Sequence, residues 1–189
     1  DMTNSPKVTN QLLGGVFLFI LLLLTTPQTS LAGEFNVTPI RLDLDQNIKT
    51  GAITVGNEEP EKPIQLQMRL FSWVQDETGA DKLEESNDLA YFPRMMNIPP
   101  KEQRLLRAGI KQAPSDKELA YRLFVEEIPD PTRNKQAGLS IAVSVRFGVP
   151  IFVKASQEII DGQIEYARLS KGKLLVKVVN HGNTHFRIE

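Results

Sequence analysis

Residues 139–153 read LSIAVSVRFGVPIFV, which is the longest apolar alternation in this chain of 189 residues. Aliphatic side chains occupy every second position from Leu139 to Val145, and small or polar side chains lie between them. A spacing of two is the pleat period of a β-strand, whose successive side chains point to opposite faces. The segment therefore predicts a long strand with one apolar face, and it makes a β fold the first expectation.

As the last strand of a sandwich, this segment should lie at the edge of a sheet, where proteins usually place charge or proline to prevent pairing. It carries neither before Arg146 and Pro150. Two interpretations follow from the spacing alone. In the first, the apolar face points into the chain's own core. In the second, the strand is a template whose side chains fill a cleft in another chain while its backbone completes that chain's sheet.

The same period of two extends back to Phe35, so the chain is predicted to be all-β, with an immunoglobulin-like sandwich of seven strands. Pro39 interrupts the first strand and marks an edge, a bulge or a change of sheet. The acidic residues 76–88 are interpreted as a solvated connection, and the aromatic residues Phe71, Trp73 and Phe124 as part of the core. The other predicted strands cover residues 51–56, 64–73, 90–92, 103–110 and 119–128.

The N-terminal residues have the three-part layout of a secretory signal peptide. Lys7 precedes an uncharged apolar run at residues 12–24, and the small residues Ser30 and Ala32 follow it. Because a membrane-spanning helix needs about 20 apolar residues, this run is short for a span. Residues 1–32 are therefore predicted to be removed after Ala32, which leaves a chain outside the cytoplasm and not inserted in the membrane.

The remaining sequence divides into two parts. Residues 33–157 contain the predicted sandwich, and residues 158–189 contain two further strands, at 162–166 and 173–179. The second part is too short to enclose a core of its own. It is therefore predicted to be the beginning of a second, incomplete β-domain.

Composition and motifs argue against nucleic-acid binding, metal sites and catalysis. The 22 basic and 23 acidic residues give a formal charge of −1, and the chain has no cysteine. The H-x-x-x-H spacing of His181 and His185 lacks the glutamate and the helix of a zinc protease. The sequence also lacks the glycine-rich phosphate loops and the nucleophile elbow. We therefore predict a protein that is not an enzyme and that has no metal and no cofactor.

Several short motifs, taken together and in order, resemble the periplasmic pilus-assembly chaperones of the PapD-like kind. Each motif is weak alone, but their common order along the whole chain from residue 35 makes the resemblance specific. The motifs are FNVTPIRL at 35–42, GAITV at 51–55, FSW at 71–73, YFP at 91–93, YRLF at 121–124, EIP at 127–129, VPIFV at 149–153 and NHGNTHF at 180–186.

The resemblance implies a two-domain chaperone that binds pilus or fimbrial subunits in the periplasm and delivers them to an outer-membrane usher. Such subunits have an immunoglobulin-like fold that lacks its last strand, and the family's chaperones lend them a strand of their own. By position, the donated side chains are those of Leu139, Ile141, Val143 and Val145. The resemblance thus favours the template interpretation of this segment.

Two basic residues hold the subunit's terminal carboxylate in this family. Arg41 matches the first, and its planar fork suits a carboxylate. At the usual position of the second, a lysine, this sequence has Pro150. This departure is similar to the archaic, Csu-type branch, and Arg122 is the predicted replacement. The weaker candidates for this role are Arg107, Arg146 and Lys154.

One further interpretation remains open at the level of sequence. A secreted immunoglobulin-like adhesin or structural module would have the same strand pattern, but its last strand would close against its own sheet. The two interpretations differ in whether the protein forms a one-to-one complex with a small β-subunit.

Overall fold

Alternating apolar residues form the strands of a β-sandwich in the computed structural model, which describes residues 35–76, 78–128 and 144–187. No helix in these ranges is long and apolar enough to cross a membrane. The described strands are β1 (Phe35–Thr38), β2 (Leu42–Leu44), β3 (Thr50–Asn57), β4 (Ile64–Gln75), β5 (Asp81–Glu85), β6 (Leu89–Phe92), β7 (Met95–Ile98), β8 (Gln103–Ile110), β9 (Leu119–Glu127), β10 (Arg146–Val153), β11 (Gly162–Ser170) and β12 (Lys173–Asn180).

The first ten of these strands form two sheets. The four-stranded sheet has the order β1-β3-β8-β6, and the six-stranded sheet has the order β2-β10-β9-β4-β5, with β7 also paired to β4. All pairs are antiparallel except β2 with β10, which run parallel. The predicted all-β, immunoglobulin-like sandwich is confirmed.

The core lies between the two sheets and follows the predicted alternation. Ile64, Leu66, Met68 and Leu70 of β4 are all buried. On β9 the buried residues Tyr121, Leu123 and Val125 likewise alternate with residues on the other face. Burying an aliphatic side chain of this size contributes about 1.5–3 kcal/mol, so these alternations fix which face of each strand points inward.

Pro39 marks a change of sheet, one of the three roles predicted for it. β1 ends at Thr38 in the four-stranded sheet, and β2 begins at Leu42 in the six-stranded sheet. Because proline has no backbone N–H, the chain can leave one ladder there without an unpaired donor. Arg41 therefore lies directly before β2, beside the six-stranded sheet.

The structure contains two strands that the sequence pattern did not predict. β5 lies within residues 76–88, which were interpreted as a connection, and it pairs with β4 along its whole length. That interpretation was wrong because an edge strand with both faces near solvent needs no apolar alternation. β7 is short, and only Met96 and Ile98 in it are buried, so it left little pattern to recognise.

The last strand of the sandwich is an edge strand over only part of its length. Ile151–Val153 of β10 pair with Leu42–Leu44 of β2, so that end is covered. Between Arg146 and Pro150, β10 pairs with β9 on one side, and no described strand pairs with its other side. Within the part of the predicted strand that the structure describes, the unpaired edge is the first half of β10.

β11 and β12 form an antiparallel hairpin. They contain the two strands predicted at residues 162–166 and 173–179. Most of its side chains are exposed on both faces. The exposed apolar residues of the hairpin are Ile164, Tyr166, Leu169, Leu174, Leu175 and Val176.

Candidate functional site

The outer face of the six-stranded sheet brings together aromatic rings and arginines. On β9, Arg122, Phe124 and Glu126 point outward because the residues between them fill the core. The ladder places Arg122 between Pro150 of β10 and Phe71 of β4. We call this surface the outer aromatic face, comprising Arg41, Arg69, Phe71, Trp73, Arg122, Phe124, Arg146 and Phe152.

The interpretation of Phe71 and Trp73 as core residues was wrong, whereas Phe124 is buried, with 7% of its surface exposed, but lies on the outer face of the sheet. The Phe71 and Phe124 rings meet edge to face with centroids 5.4 Å apart, and Trp73 lies 6.0 Å from Phe152. Phe71 and Trp73 have the opposite parity to Leu70 on β4, so they point away from the core. Alternation along one strand defines two faces, and aromatic size alone did not reveal which face was inside.

Arg41 binds Asp43 and lies over Phe152. Its Nε donates to both carboxylate oxygens of Asp43, at 3.0 and 2.9 Å, and its Nη2 donates to Oδ1 at 2.6 Å. The guanidinium carbon is 4.5 Å from the centre of the Phe152 ring, a cation–π distance. The two charged side chains are 42% and 41% exposed, so a partner in solution can reach the pair.

Arg122 is less exposed than Arg41. Its Nη1 lies 3.1 Å from Oδ2 of Asp81, its guanidinium carbon is 4.1 Å from the centre of the Trp73 ring, and the side chain is 25% exposed. Its Nε is buried and has no hydrogen-bond partner among the described residues. The two predicted anchor residues therefore lie on one face, linked by contacts from Arg41 to Phe152, from Phe152 to Trp73, and from Trp73 to Arg122.

The Asp81 carboxylate, at the end of the β4–β5 hairpin, contacts the N–H groups of three side chains. Its Oδ1 accepts from Nε1 of Trp73 at 2.9 Å and from Nε2 of Gln75 at 3.1 Å, and Arg122 approaches Oδ2. The hydrogen bond from Trp73, followed by that from Gln75 and the charge of Arg122, lowers the pKa of the Asp81 carboxyl below its usual value. Asp81 thus stays ionised in mild acid and keeps Arg122 paired.

The fluorescence of Trp73 should report the titration of Asp81, because Trp73 is the only tryptophan of the chain. Since the folded-state pKa is lowered, the contacts of the ionised carboxylate are complete above about pH 4 and are lost as the pH falls through that lower pKa. We expect an emission change with a midpoint below about pH 4 and native circular dichroism throughout.

The variant Asp81→Asn should lose this transition. Glu85→Gln, on the same strand but paired with Arg69, should keep it. A transition at the usual aspartate value, or one that survives in Asp81→Asn, would contradict the assignment.

Of the three weaker anchor candidates, only one shares the outer aromatic face. Arg146 shares the outer aromatic face, lies 3.4 Å from the centre of the Phe124 ring and pairs with Glu126 at 2.8 Å. Lys154 pairs with Glu158. Arg107 is exposed on β8, in the four-stranded sheet, and so lies on the opposite side of the sandwich from Arg41 and Arg122. That position removes Arg107 from the candidate site.

His185 was not recognised as part of this site. Its ring stacks on Phe152 at 4.3 Å, and its Nδ1 lies 2.5 Å from Oε1 of Glu118. Thr184 donates to the other oxygen of Glu118 at 3.1 Å. No spacing in the sequence signals these contacts, since Glu118 is 66 positions from Thr184 and 67 from His185. Among the described residues, no group of three or more histidine, aspartate or glutamate side chains is arranged to hold a metal ion.

Of the predicted donor-strand residues, Leu139, Ile141 and Val143 lie outside the described residues. Val145 is half-buried and packs against the core, and its carbonyl accepts from the N–H of Glu127 at 2.9 Å. The buried residues Val149, Ile151 and Val153 have the same parity as Val145. Val145 is therefore the one predicted donor residue among the described residues, and it contacts the core of the chain's own sandwich.

Residues 34–157 match the protein family described as "Pili and flagellar-assembly chaperone, PapD N-terminal domain". The "Probable fimbrial chaperone YfcS" of Escherichia coli (strain K12) is 32% identical over 139 residues, which cover 71% of this chain and 51% of that protein. "Chaperone protein LpfB" of Salmonella typhimurium is 24% identical over 165 residues, covering 85% of this chain and 68% of that protein. The chain spans about half the length of the first of these relatives.

Solved structures share the fold. A chain of the CFA/I "chaperone-tip adhesin complex" matches with a TM-score of 0.62 and 18% identity, covering 80% of this chain and 68% of that one. The CsuC–CsuE complex from the "archaic chaperone-usher Csu pili" of Acinetobacter baumannii matches with a TM-score of 0.56 and 22% identity, covering 80% and 73%. At these identities the likeness establishes the architecture.

Proposed function

The chain belongs to the PapD-like family of pilus-assembly chaperones, and from this premise we propose that it binds pilus subunits in the periplasm by donating a strand and delivers them to an outer-membrane usher. It acts without catalysis and without a cofactor. Residues 1–32 are the export signal, residues 33–157 the subunit-binding domain, and residues 158–189 the beginning of the second domain. The absence of a lysine at position 150 favours the archaic, Csu-type branch.

The observation that carries this proposal is the open edge of β10. Backbone groups between Arg146 and Pro150 have a ladder partner on the β9 side, and no described strand pairs with them on the other. The apolar alternation continues before this edge through Val143, Ile141 and Leu139. A client that lacks a strand can pair with that edge and bury these side chains, each contributing about 1.5–3 kcal/mol before ordering costs.

Arg41 and Arg122 are proposed to hold the client's terminal carboxylate. Arg122 lies directly opposite Pro150 in the ladder, so its side chain starts beside the place where the family usually has a lysine. The Arg41 guanidinium contacts Phe152 and the Arg122 guanidinium contacts Trp73, and these two rings contact each other. A carboxylate bound there fixes the direction and register of the client strand, since burial alone is not directional.

The proposal is tested by expressing the tagged full chain in the periplasm together with the neighbouring reading frames and identifying by mass spectrometry what copurifies with it. We expect a one-to-one complex with a small β-subunit. A secreted adhesin with a closed last strand would yield no such complex, and that result would reject the chaperone function.

Arg41→Ala should lower the recovered subunit several-fold without unfolding the chaperone. An exposed charge pair contributes little to stability, about 0–1 kcal/mol, whereas a hydrogen bond to a charged group at a binding site contributes about 1.5–3 kcal/mol. The yield is measured by periplasmic pull-down. Arg104→Ala is the matched control, because Arg104 also pairs with a carboxylate two residues away, Glu102, but belongs to the four-stranded sheet. An unchanged yield for Arg41→Ala would remove it from the anchor.

A further inference from the structure

We propose that Asp43 is a built-in competitor for Arg41, which weakens the binding of a client's terminal carboxylate and thereby shortens the lifetime of the complex. This role presupposes the chaperone function proposed above. Asp43 points outward from β2, between the buried residues Leu42 and Leu44, and stands opposite Phe152 in the ladder. It is therefore on the same face as the site where the carboxylate of a client would bind.

The hydrogen bonds show which part of Arg41 is already occupied. Asp43 takes the side of the guanidinium formed by Nε and Nη2. Nη1 has no hydrogen-bond partner among the described residues. A guanidinium can meet a carboxylate with two parallel bonds on either of two edges, and Asp43 uses one of them. A client is left with the end-on edge, which includes the free Nη1.

The charge of Asp43 opposes that second carboxylate. Arg41 and Asp43 together are neutral, so a client's carboxylate at the end-on edge is attracted by the guanidinium and repelled by the aspartate a short distance behind it. The same pairing recurs at the other arginines of the outer aromatic face, since Arg69 contacts Glu85, Arg122 contacts Asp81 and Arg146 contacts Glu126. On this face a client therefore meets arginine side chains that can bind its carboxylate, but the face carries little net positive charge.

Asp43 differs from Asp81 in what else it supports. Asp81 also accepts from Trp73 and Gln75 and thus holds the β4–β5 hairpin together. The hydrogen bonds to the Asp43 carboxylate from described residues all come from Arg41. Asp43→Asn can accordingly remove the charge, keep an oxygen that accepts from Arg41, and leave the sandwich intact.

The test measures the dissociation rate of the full chain from the subunit captured in the pull-down, using a labelled subunit that exchanges against an excess of unlabelled subunit. The subunit is used with its natural terminal carboxylate and, in a second preparation made by peptide ligation, with a terminal amide. Asp43→Asn should slow dissociation of the natural subunit roughly tenfold at low ionic strength and less at high salt. It should leave dissociation of the amide unchanged.

Glu102→Gln is the matched control, because it removes the same charge from an arginine pair in the four-stranded sheet. Faster or unchanged dissociation of Asp43→Asn would overturn the competitor role, as would equal slowing of the carboxylate and amide subunits or an equal effect of Glu102→Gln. If the wild-type chain captures no subunit at all, the chaperone function itself fails. Capture with the wrong response to Asp43→Asn rejects only the role of Asp43.

Discussion

Val143→Glu is expected to abolish capture of a pilus subunit, by more than about a hundredfold in affinity, while the free chaperone stays folded. Under the proposed mechanism, Val143 enters an apolar groove of the client. A carboxylate placed there must lose its hydration without gaining a partner, which is one of the largest penalties a single side chain can introduce. In the free chaperone the same side chain would face water, so the carboxylate would be harmless.

The measurement compares the yield of copurified subunit with the thermal unfolding of the purified free variant. Ala142→Glu is the matched control, because it adds the same charge on the opposite face of the strand predicted from the alternation. We expect that control to retain most of the subunit yield. If Val143→Glu unfolds the free protein, the apolar face belongs to the chain's own core and the donation mechanism is wrong.

The sequence was sufficient to predict those elements whose structure is dictated by the burial of their side chains. Strand β4 was recognisable because Ile64, Leu66, Met68 and Leu70 alternate with polar residues, and that alternation has one physical cause, a single buried face. Pro39 was informative for a similar reason, since its missing N–H restricts it to a few places in a ladder. Both signals are local, and both are read without knowing the rest of the fold.

The features missed by sequence reasoning depend on the environment that distant residues create. Phe71 and Trp73 are large and apolar, yet they lie on the outer face, where arginines cover their rings. An arginine stacked on a ring shields it from water almost as a core neighbour would, so hydrophobicity does not distinguish the two positions. Strand β5 was missed because backbone hydrogen bonds to β4 define it as a strand. Its side chains are mostly exposed and show no apolar alternation.

The predicted anchor residues show the same contrast between what the sequence reveals and what only the fold reveals. Arg41 and Arg122 were selected from a resemblance, and the structure brings them to one face. The aspartate that binds Arg122 could not be selected, since Asp81 is 41 positions from Arg122 and approaches it only because β5 folds back along β4. The contact of His185 with Phe152 also joins residues that are far apart in sequence, 33 positions. Side-chain pairs across the fold therefore needed the structure, whereas the strands with a buried face did not.

Phe152→Ala should lower the free energy of unfolding by about 3 kcal/mol, at the lower end of the range for removing a buried aromatic ring. Phe152 is 8% exposed, and its ring contacts Arg41, Trp73 and His185. The loss leaves a gap on the outer aromatic face and removes the surface on which both Arg41 and His185 rest. Unfolding in urea, followed by Trp73 emission and by circular dichroism, measures the change.

Phe152→Leu separates apolar burial from the stacking of rings and cations. Leucine keeps most of the apolar contact, so this variant should lose only about 1 kcal/mol, the usual size of aromatic and cation–π terms. Subunit capture should fall only slightly in Phe152→Leu, because the bidentate bond to Asp43 still holds the Nε side of Arg41. If leucine is as damaging as alanine to both stability and capture, the ring itself, rather than the apolar volume beneath Arg41, organises the site.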